Sequence, residues 1–240
     1  MSGHSKWKTI AHKKGKTDAD RAKVFTKLSR EIIVAVREGG PDPNANSKLK
    51  DCIAKARASN VPSDNIKRVI ERAGGAGAGD NYEAVQYEGY GPAGVAVIVD
   101  AMTDNRNRTA SEVRHYFDKF GGNMGAPGCV SWSFDEKGVL IVEAEGRDEE
   151  EMLMMSLEAG ASDLQTQDEV YVITTAPPDF SAVREALEKL GVSFLSAQVE
   201  MVPQNTVKLT DEEALKKMQR LLDALEDNDD VQNVWHNWDD

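Results

Sequence analysis

The 240-residue sequence has few of the residues that mark most kinds of site chemistry. Its two cysteines, Cys52 and Cys129, form no CxxC pair and belong to no Cys/His cluster. That argues against a structural zinc, suits a reducing cytoplasm, and leaves both as small buried hydrophobes. The four histidines, His4, His12, His115 and His236, fall in no HExxH pattern, and GxSxG and P-loop motifs are absent. No run of about 18 apolar residues exists to span a membrane. The first residues, Met1 to Lys8, lack the apolar core of a secretory signal. The expectation is a cytoplasmic protein that is not an enzyme, with no cofactor, no metal, no membrane and no small-molecule substrate.

Two further patterns can be set aside. Residues 89–94 (GYGPAG) match GxGxxG, but a strand follows instead of a helix, and Pro92 has no N–H to give a pyrophosphate. They read as a hairpin connection. Of the acidic runs, Asp148–Glu151 suits a helix N-terminus, where negative charge is favourable. Asp227–Asp230 lacks the central Gly and spaced Glu of an EF-hand loop.

What the chain does have is segregated charge. Its formal net charge is −12, yet residues 1–80 hold 17 Lys/Arg against 9 Asp/Glu, and residues 81–240 hold 12 against 32. An acidic average repels a phosphate backbone. Salt screens charges beyond about 8–10 Å, however, so a polyanion would respond to the basic end it meets.

Residues 4–16 (HSKWKTIAHKKGK) have neither helical nor strand period and read as an extended basic arm. A first helix runs from Thr17 or Asp18 to Gly39-Gly40 with Phe25, Leu28, Ile32 and Val36 on one face. Lys16, Lys23, Lys27, Arg30 and Arg37 lie within roughly 80° of one another on the opposite side. A second helix covers 47–59. A third opens at Ser63 or Asp64, turns Ile66, Val69, Ile70 and Ala73 inward and Lys67, Arg68 and Arg72 outward, and ends at the GGAGAG run of 74–79.

From Tyr82 the period changes. Strands are expected at 82–88, 95–102 and 129–134, and a helix opening at Thr109 with the capping box Thr109-Ala110-Ser111-Glu112. Residues 138–204 follow the split βαβ, ferredoxin-like order β-α-β-β-α-β. The tail then adds a helix at 211–225 and a strand at 231–235, which need a sheet to join. The reading is an α+β chain of three domains. An N-terminal three-helix domain (1–80) precedes two α/β sandwich, ferredoxin-like domains. The middle one (81–135) is completed by the C-terminal segment (206–240), which makes 136–205 an insertion.

Lysine and arginine neutralise phosphates and release counterions, and Trp7 offers a flat face to a base. The candidate nucleic-acid-binding residues of the N-terminal domain are therefore Lys6, Trp7, Lys8, His12, Lys13, Lys14, Lys16, Arg21, Lys23, Lys27 and Arg30. The competing reading is a solvated tail with Trp7 tucked into the helical domain. Arg106 and Arg108, just before the expected cap at Thr109, and Arg114 on the same helix form a second candidate, because helix N-termini bind anions. The alternative there is pairing with nearby carboxylates.

Three segments carry a family resemblance: GHSKWKTIAHKKGKTDADRAKVFTKLSREI at 3–32, EGYGPAGVAVIVDAMTDNRNRTASEVRHYFDKFGGNMGAPGCVSWSF at 88–134, and VQNVWHNW at 231–238. They closely resemble the YebC/PmpR family. The resemblance implies three domains, with the C-terminal segment completing the middle one, and a cytoplasmic, non-enzymatic nucleic-acid-binding protein of the kind labelled a probable transcriptional regulator. A related branch, which includes the mitochondrial translational activator of cytochrome c oxidase, implies action in translation at the ribosome. The implied partner is thus DNA or large-subunit rRNA.

Overall fold

Apolar residues at helical spacing in residues 18–74 leave a chain that can bury itself only as packed helices. The computed structural model describes residues 18–75 and 81–239, with side chains from residue 22 onward. Helix α1 (Asp18–Gly39) packs on α2 (Ser47–Ala58) and α3 (Ser63–Gly74). Leu28, Ile32 and Val36 of the expected stripe are buried, and Phe25 is half-buried against the same core with Leu49, Ile53, Ile66 and Val69. Asn46 caps α2: its Oδ1 accepts from the Leu49 N–H, while its Nδ2 donates to the carbonyls of Ala35 and Gly40.

The middle unit begins as a hairpin, β1 (Glu83–Tyr90) and β2 (Ala96–Thr103), joined through the 89–94 glycines. Helix α4 (Arg106–Lys119) and the short strand β3 (Asn123–Met124) follow. After the insertion come β8 (Val207–Lys208), α7 (Glu212–Asp227), β9 (Val231–His236) and β10 (Trp238–Asp239). The sheet order is β3-β1-β2-β9, so the last long strand lies against β2, and β10 pairs with β8. Val95, Val97 and Val99 pack under Val113 and Phe117 of α4 and Met218, Leu221 and Leu225 of α7.

The inserted unit consists of β4 (Phe134–Glu143), α5 (Glu149–Glu158), β5 (Asp163–Gln167), β6 (Val170–Thr175), α6 (Phe180–Lys189) and β7 (Ser196–Pro203). Its order, β5-β6-β4-β7, is the split βαβ arrangement, whereas the middle unit reaches four strands through a hairpin-first order. Asp148 caps α5 and Glu149, Glu150 and Glu151 fill its first turn, so this acidic run sits where a helix dipole favours it. The insertion leaves and re-enters the middle unit at paired residues, Phe134 opposite Pro203. There Ala96, Ile98, Val130 and Phe134 form an apolar junction with Met201 and Trp235. Three helices followed by two sheet units give an α+β fold.

Two local expectations are corrected. Residues 129–133 form no strand: Ser131–Ser133 is a 3-10 turn, and β4 starts only at Phe134. The Glu88 carboxylate gathers the N–H groups of Gly128, Val130 and Ser131 at 2.7–2.9 Å, removing the donors a strand ladder would use. Helix α4 begins at Arg106, with Asn105 as N-cap accepting from the Arg108 N–H at 3.1 Å. Thr109 is therefore a buried position inside the helix, and Glu112 accepts from Asn228 Nδ2.

Candidate nucleic-acid interface

The basic side of α1 faces inward across the molecule, toward the last residues of α7 and the turn that joins it to β9. Lys23 Nζ meets Asp227 Oδ1 at 2.7 Å, and Lys27 Nζ donates to the Glu226 carbonyl at 2.7 Å. Arg30, whose side chain is 13% exposed, meets Asp230 Oδ1 at 2.8 Å and also donates to the Asp229 carbonyl. Its guanidinium lies 4.9 Å over the Tyr82 ring. Arg37 continues the row with a bond to Asn81 Oδ1.

Asp230 is the hub of this interface. Its Oδ2 accepts from Arg108 Nη2 at 2.7 Å and Thr109 Oγ1 at 2.6 Å, with Thr103 Oγ1 at 3.3 Å. Burial opposes its ionisation, but bonds from Arg108 and Thr109 and the charges of Arg108 and Arg30 outweigh burial and hold the carboxyl below its ordinary range. The same bonds to Asp230 and Asp104 push Arg108 further up. Arg30 and Arg108 thus converge on one carboxylate from two units of the chain. Arg106 stands apart, exposed and 3.5 Å from Glu83, and Arg114 is exposed on α4.

The arm residues Lys6, Trp7, Lys8, His12, Lys13, Lys14 and Lys16 lie outside the described residues, as does the side chain of Arg21. Of the described candidates, Lys23, Lys27, Arg30 and Arg108 are all engaged with acidic or carbonyl partners. Outward on the helical unit, Lys67 and Arg68 of α3 are exposed, and Arg68 and Arg72 line a shallow groove with Phe25, Asn65 and Val69. Helical spacing alone puts Arg68 and Arg72 outward, but does not mark them as part of a site. Nor does it single out Asp230, whose only signal is its place in an acidic run.

The helical unit is held on its other side by charge as well. Arg184 of α6 is buried and meets Asp51 of α2 at 3.0 Å, Ser181 Oγ donates to the same carboxylate, and Lys50 meets Glu185 at 2.6 Å. Burial first, then the Glu31 charge, pushes the Cys52 thiol up to about 12, so it is an unreactive core group. Among the described residues no group of three or more His, Cys, Asp or Glu side chains is placed to hold a metal ion. No helix among them is long and apolar enough to cross a membrane.

Comparison with known proteins agrees with this architecture. Residues 5–76 match the model described as the TACO1/YebC protein N-terminal domain, and residues 82–238 match the TACO1/YebC second and third domain. A relative from Acetivibrio thermocellus, named a probable transcriptional regulatory protein, is 59% identical over 99% of both chains. One from Caldicellulosiruptor saccharolyticus with the same name is 57% identical over 100% of this chain and 99% of its own. The crystal structure of a conserved hypothetical protein from Aquifex aeolicus superposes with a TM-score of 0.84 at 51% identity, covering 93% of this chain and 92% of that one. This chain belongs to the TACO1/YebC family.

Proposed function

We propose that the protein is a non-enzymatic regulator of gene expression that binds DNA through its basic N-terminal unit. The observation that carries this reading is the charge segregation: 17 Lys/Arg against 9 Asp/Glu in residues 1–80, joined to a body with the opposite balance. Relatives named transcriptional regulatory proteins support the class of function. With Lys23, Lys27 and Arg30 engaged by residues 226–230, this reading gives the first encounter with phosphate to the arm lysines together with the exposed Lys67 and Arg68 of α3.

A second reading has its own support. Trp7 lies between Lys6 and Lys8, a pattern that suits stacking on an unpaired base beside its phosphates, and irregular rRNA offers such bases more readily than a DNA duplex. Sequencing the nucleic acid crosslinked to the full chain across a sucrose gradient separates the two. Promoter fragments support the DNA reading; fragments confined to rRNA sedimenting with the large subunit replace it with the ribosomal one. Either way, reversing the charge of Lys13, Lys14 and Lys16 should weaken binding and flatten its salt dependence by about one unit of slope for each phosphate no longer neutralised. Unchanged affinity and slope would reduce the arm to a solvated tail.

A further inference from the structure

Lys23, Lys27 and Arg30 meet the 226–230 turn much as a row of cations meets a phosphate backbone. The last residues of α7 and the bend after it present the Asp227 carboxylate, the carbonyls of Glu226 and Asp229, and the Asp230 carboxylate along one stretch of chain. The two halves of this seam differ in exposure. Lys23 and Asp227 are 41% and 76% exposed, so water and salt compete for them, whereas Asp230 is buried and Arg30 largely covered. The middle and inserted units, by contrast, join through the apolar cluster around Ile98, Phe134 and Trp235. The helical unit's seams on both sides are mainly polar, and polar interfaces between units of one chain leave relative motion open.

Removal of Arg30 does not strand Asp230. Arg108, Thr109 and Thr103 hold that carboxylate from within the middle unit, so the body keeps its bonds after the helical unit leaves. Arg30 in turn can exchange a carboxylate for a phosphate, which its planar guanidinium grips equally well.

We propose that the 226–230 turn is an intramolecular stand-in for a nucleic-acid backbone: it occupies the α1 ridge in the free protein, and an incoming polyanion displaces it, freeing the ridge and releasing the helical unit from the acidic body. This rests on the nucleic-acid reading above and adds an autoinhibited state to it. The arm makes the first encounter, and the ridge joins only once the turn has been displaced. The apparent affinity is therefore reduced by the fraction of molecules in which the ridge is free.

The test uses the full chain and labelled duplex DNA and single-stranded RNA, followed by fluorescence anisotropy. Asp227→Lys removes a carboxylate from the ridge and repels Lys23 and Lys27. It stands at the exposed C-terminal end of α7, where a cation suits the helix dipole, so the middle unit should melt as in the wild type even as its seam with α1 weakens. Glu150→Lys, exposed at the start of α5, makes the same change of net charge away from the ridge. The expected result is binding about 3–10-fold tighter for Asp227→Lys and less than about twofold tighter for Glu150→Lys. Asp227→Ala should fall between the wild type and Asp227→Lys. Small-angle scattering should show the wild type expand on saturation with nucleic acid, and Asp227→Lys partly expanded without it. Equal gains from the two lysine variants, with no expansion, would remove the latch and leave nucleic-acid binding intact. No binding by any variant to either nucleic acid would overturn both proposals.

Discussion

Replacing Asp230 with Ala tests the hub that links the helical and middle units. The change deletes the acceptor of Arg30 and Arg108 and of the Thr109 hydroxyl inside a buried site. Removing one partner of a buried ion pair costs about 3–5 kcal/mol. Two features lower that figure here. The Arg108 side chain is 43% exposed and keeps Asp104 at 2.9 Å, and the Thr109 hydroxyl can turn to the Asn105 carbonyl at 3.2 Å. Arg30 keeps the carbonyls of Asp229 and Met102 and the Tyr82 ring but no counter-charge, so the loss should be about 2–4 kcal/mol. Urea unfolding followed by tryptophan fluorescence reads this directly, because Trp132, Trp235 and Trp238 all lie in the middle unit. With a typical slope of about 1–3 kcal/mol per molar urea, the midpoint should fall by roughly 1–2 M. The folded-state pKa of Asp230 is depressed, so its contribution is fully present above the unfolded carboxylate value of about 3.9 and is lost as pH falls through the lower folded value. The gap between wild type and variant should therefore hold at neutral pH and close in acid. A midpoint within about 0.3 M of the wild type at neutral pH would refute the hub, since it would leave the two arginines indifferent to losing their shared partner.

Glu88→Gln leaves one acceptor oxygen where three backbone N–H groups converge, which should cost about 1–3 kcal/mol and shift the emission of Trp132, whose indole bonds Cys129 in the same loop. Burial opposes ionisation of Glu88, but those N–H bonds hold its pKa low, so its contribution too is present above the ordinary glutamate value of about 4.3 and is lost as pH falls through the lower folded one. Gly138→Ala would place a Cβ 2.2 Å from Thr175 Oγ1 and 2.9 Å from the Phe180 Cβ. Hydrogen exchange should show the inserted unit loosened by about 1–3 kcal/mol, while nucleic-acid binding stays at the wild-type level. Arg108→Ala should lower the thermal midpoint of the middle unit. Arg106→Ala, which loses one exposed 3.5 Å pair, should stay within about 0.5 kcal/mol of wild type in calorimetry.

The periodic parts of the fold are legible in the sequence because burial imposes a period: Leu28, Ile32 and Val36 on α1, and the β-α-β-β-α-β order of the insertion. The start of α4 is not, because Asn105 and Thr109 are both residue types that suit an N-cap, and it is the fold that brings Asp230 and Thr103 to the Thr109 hydroxyl and draws it into the interior. Residues 129–134 alternate like a strand, yet Glu88 collects the N–H groups of Val130 and Ser131 from 42 and 43 positions away. The basic ridge is visible as a helical face, but its partner is not. Lys23 and Asp227 are 204 positions apart, and neither the spacing nor the composition of one segment carries information about the other. Pairings of that range are decided by the topology of the middle sheet.

That topology also orders events during synthesis. The hairpin of β1 and β2 has left the ribosome long before β9 exists, since Val231 follows Thr103 by 128 positions. At about 5–20 residues per second the valines of β2 wait roughly 6–25 s for the strand and helix that cover them. Meanwhile the helical bundle and the inserted sheet, each contiguous in sequence, can fold on their own schedule. The middle unit closes only when β9 slides in beside β2, and the Asp230 carboxylate that anchors α1 is made just before it. A nascent chain thus carries its basic ridge uncovered until residues 226–230 have been made, some 200 positions after the ridge they cover.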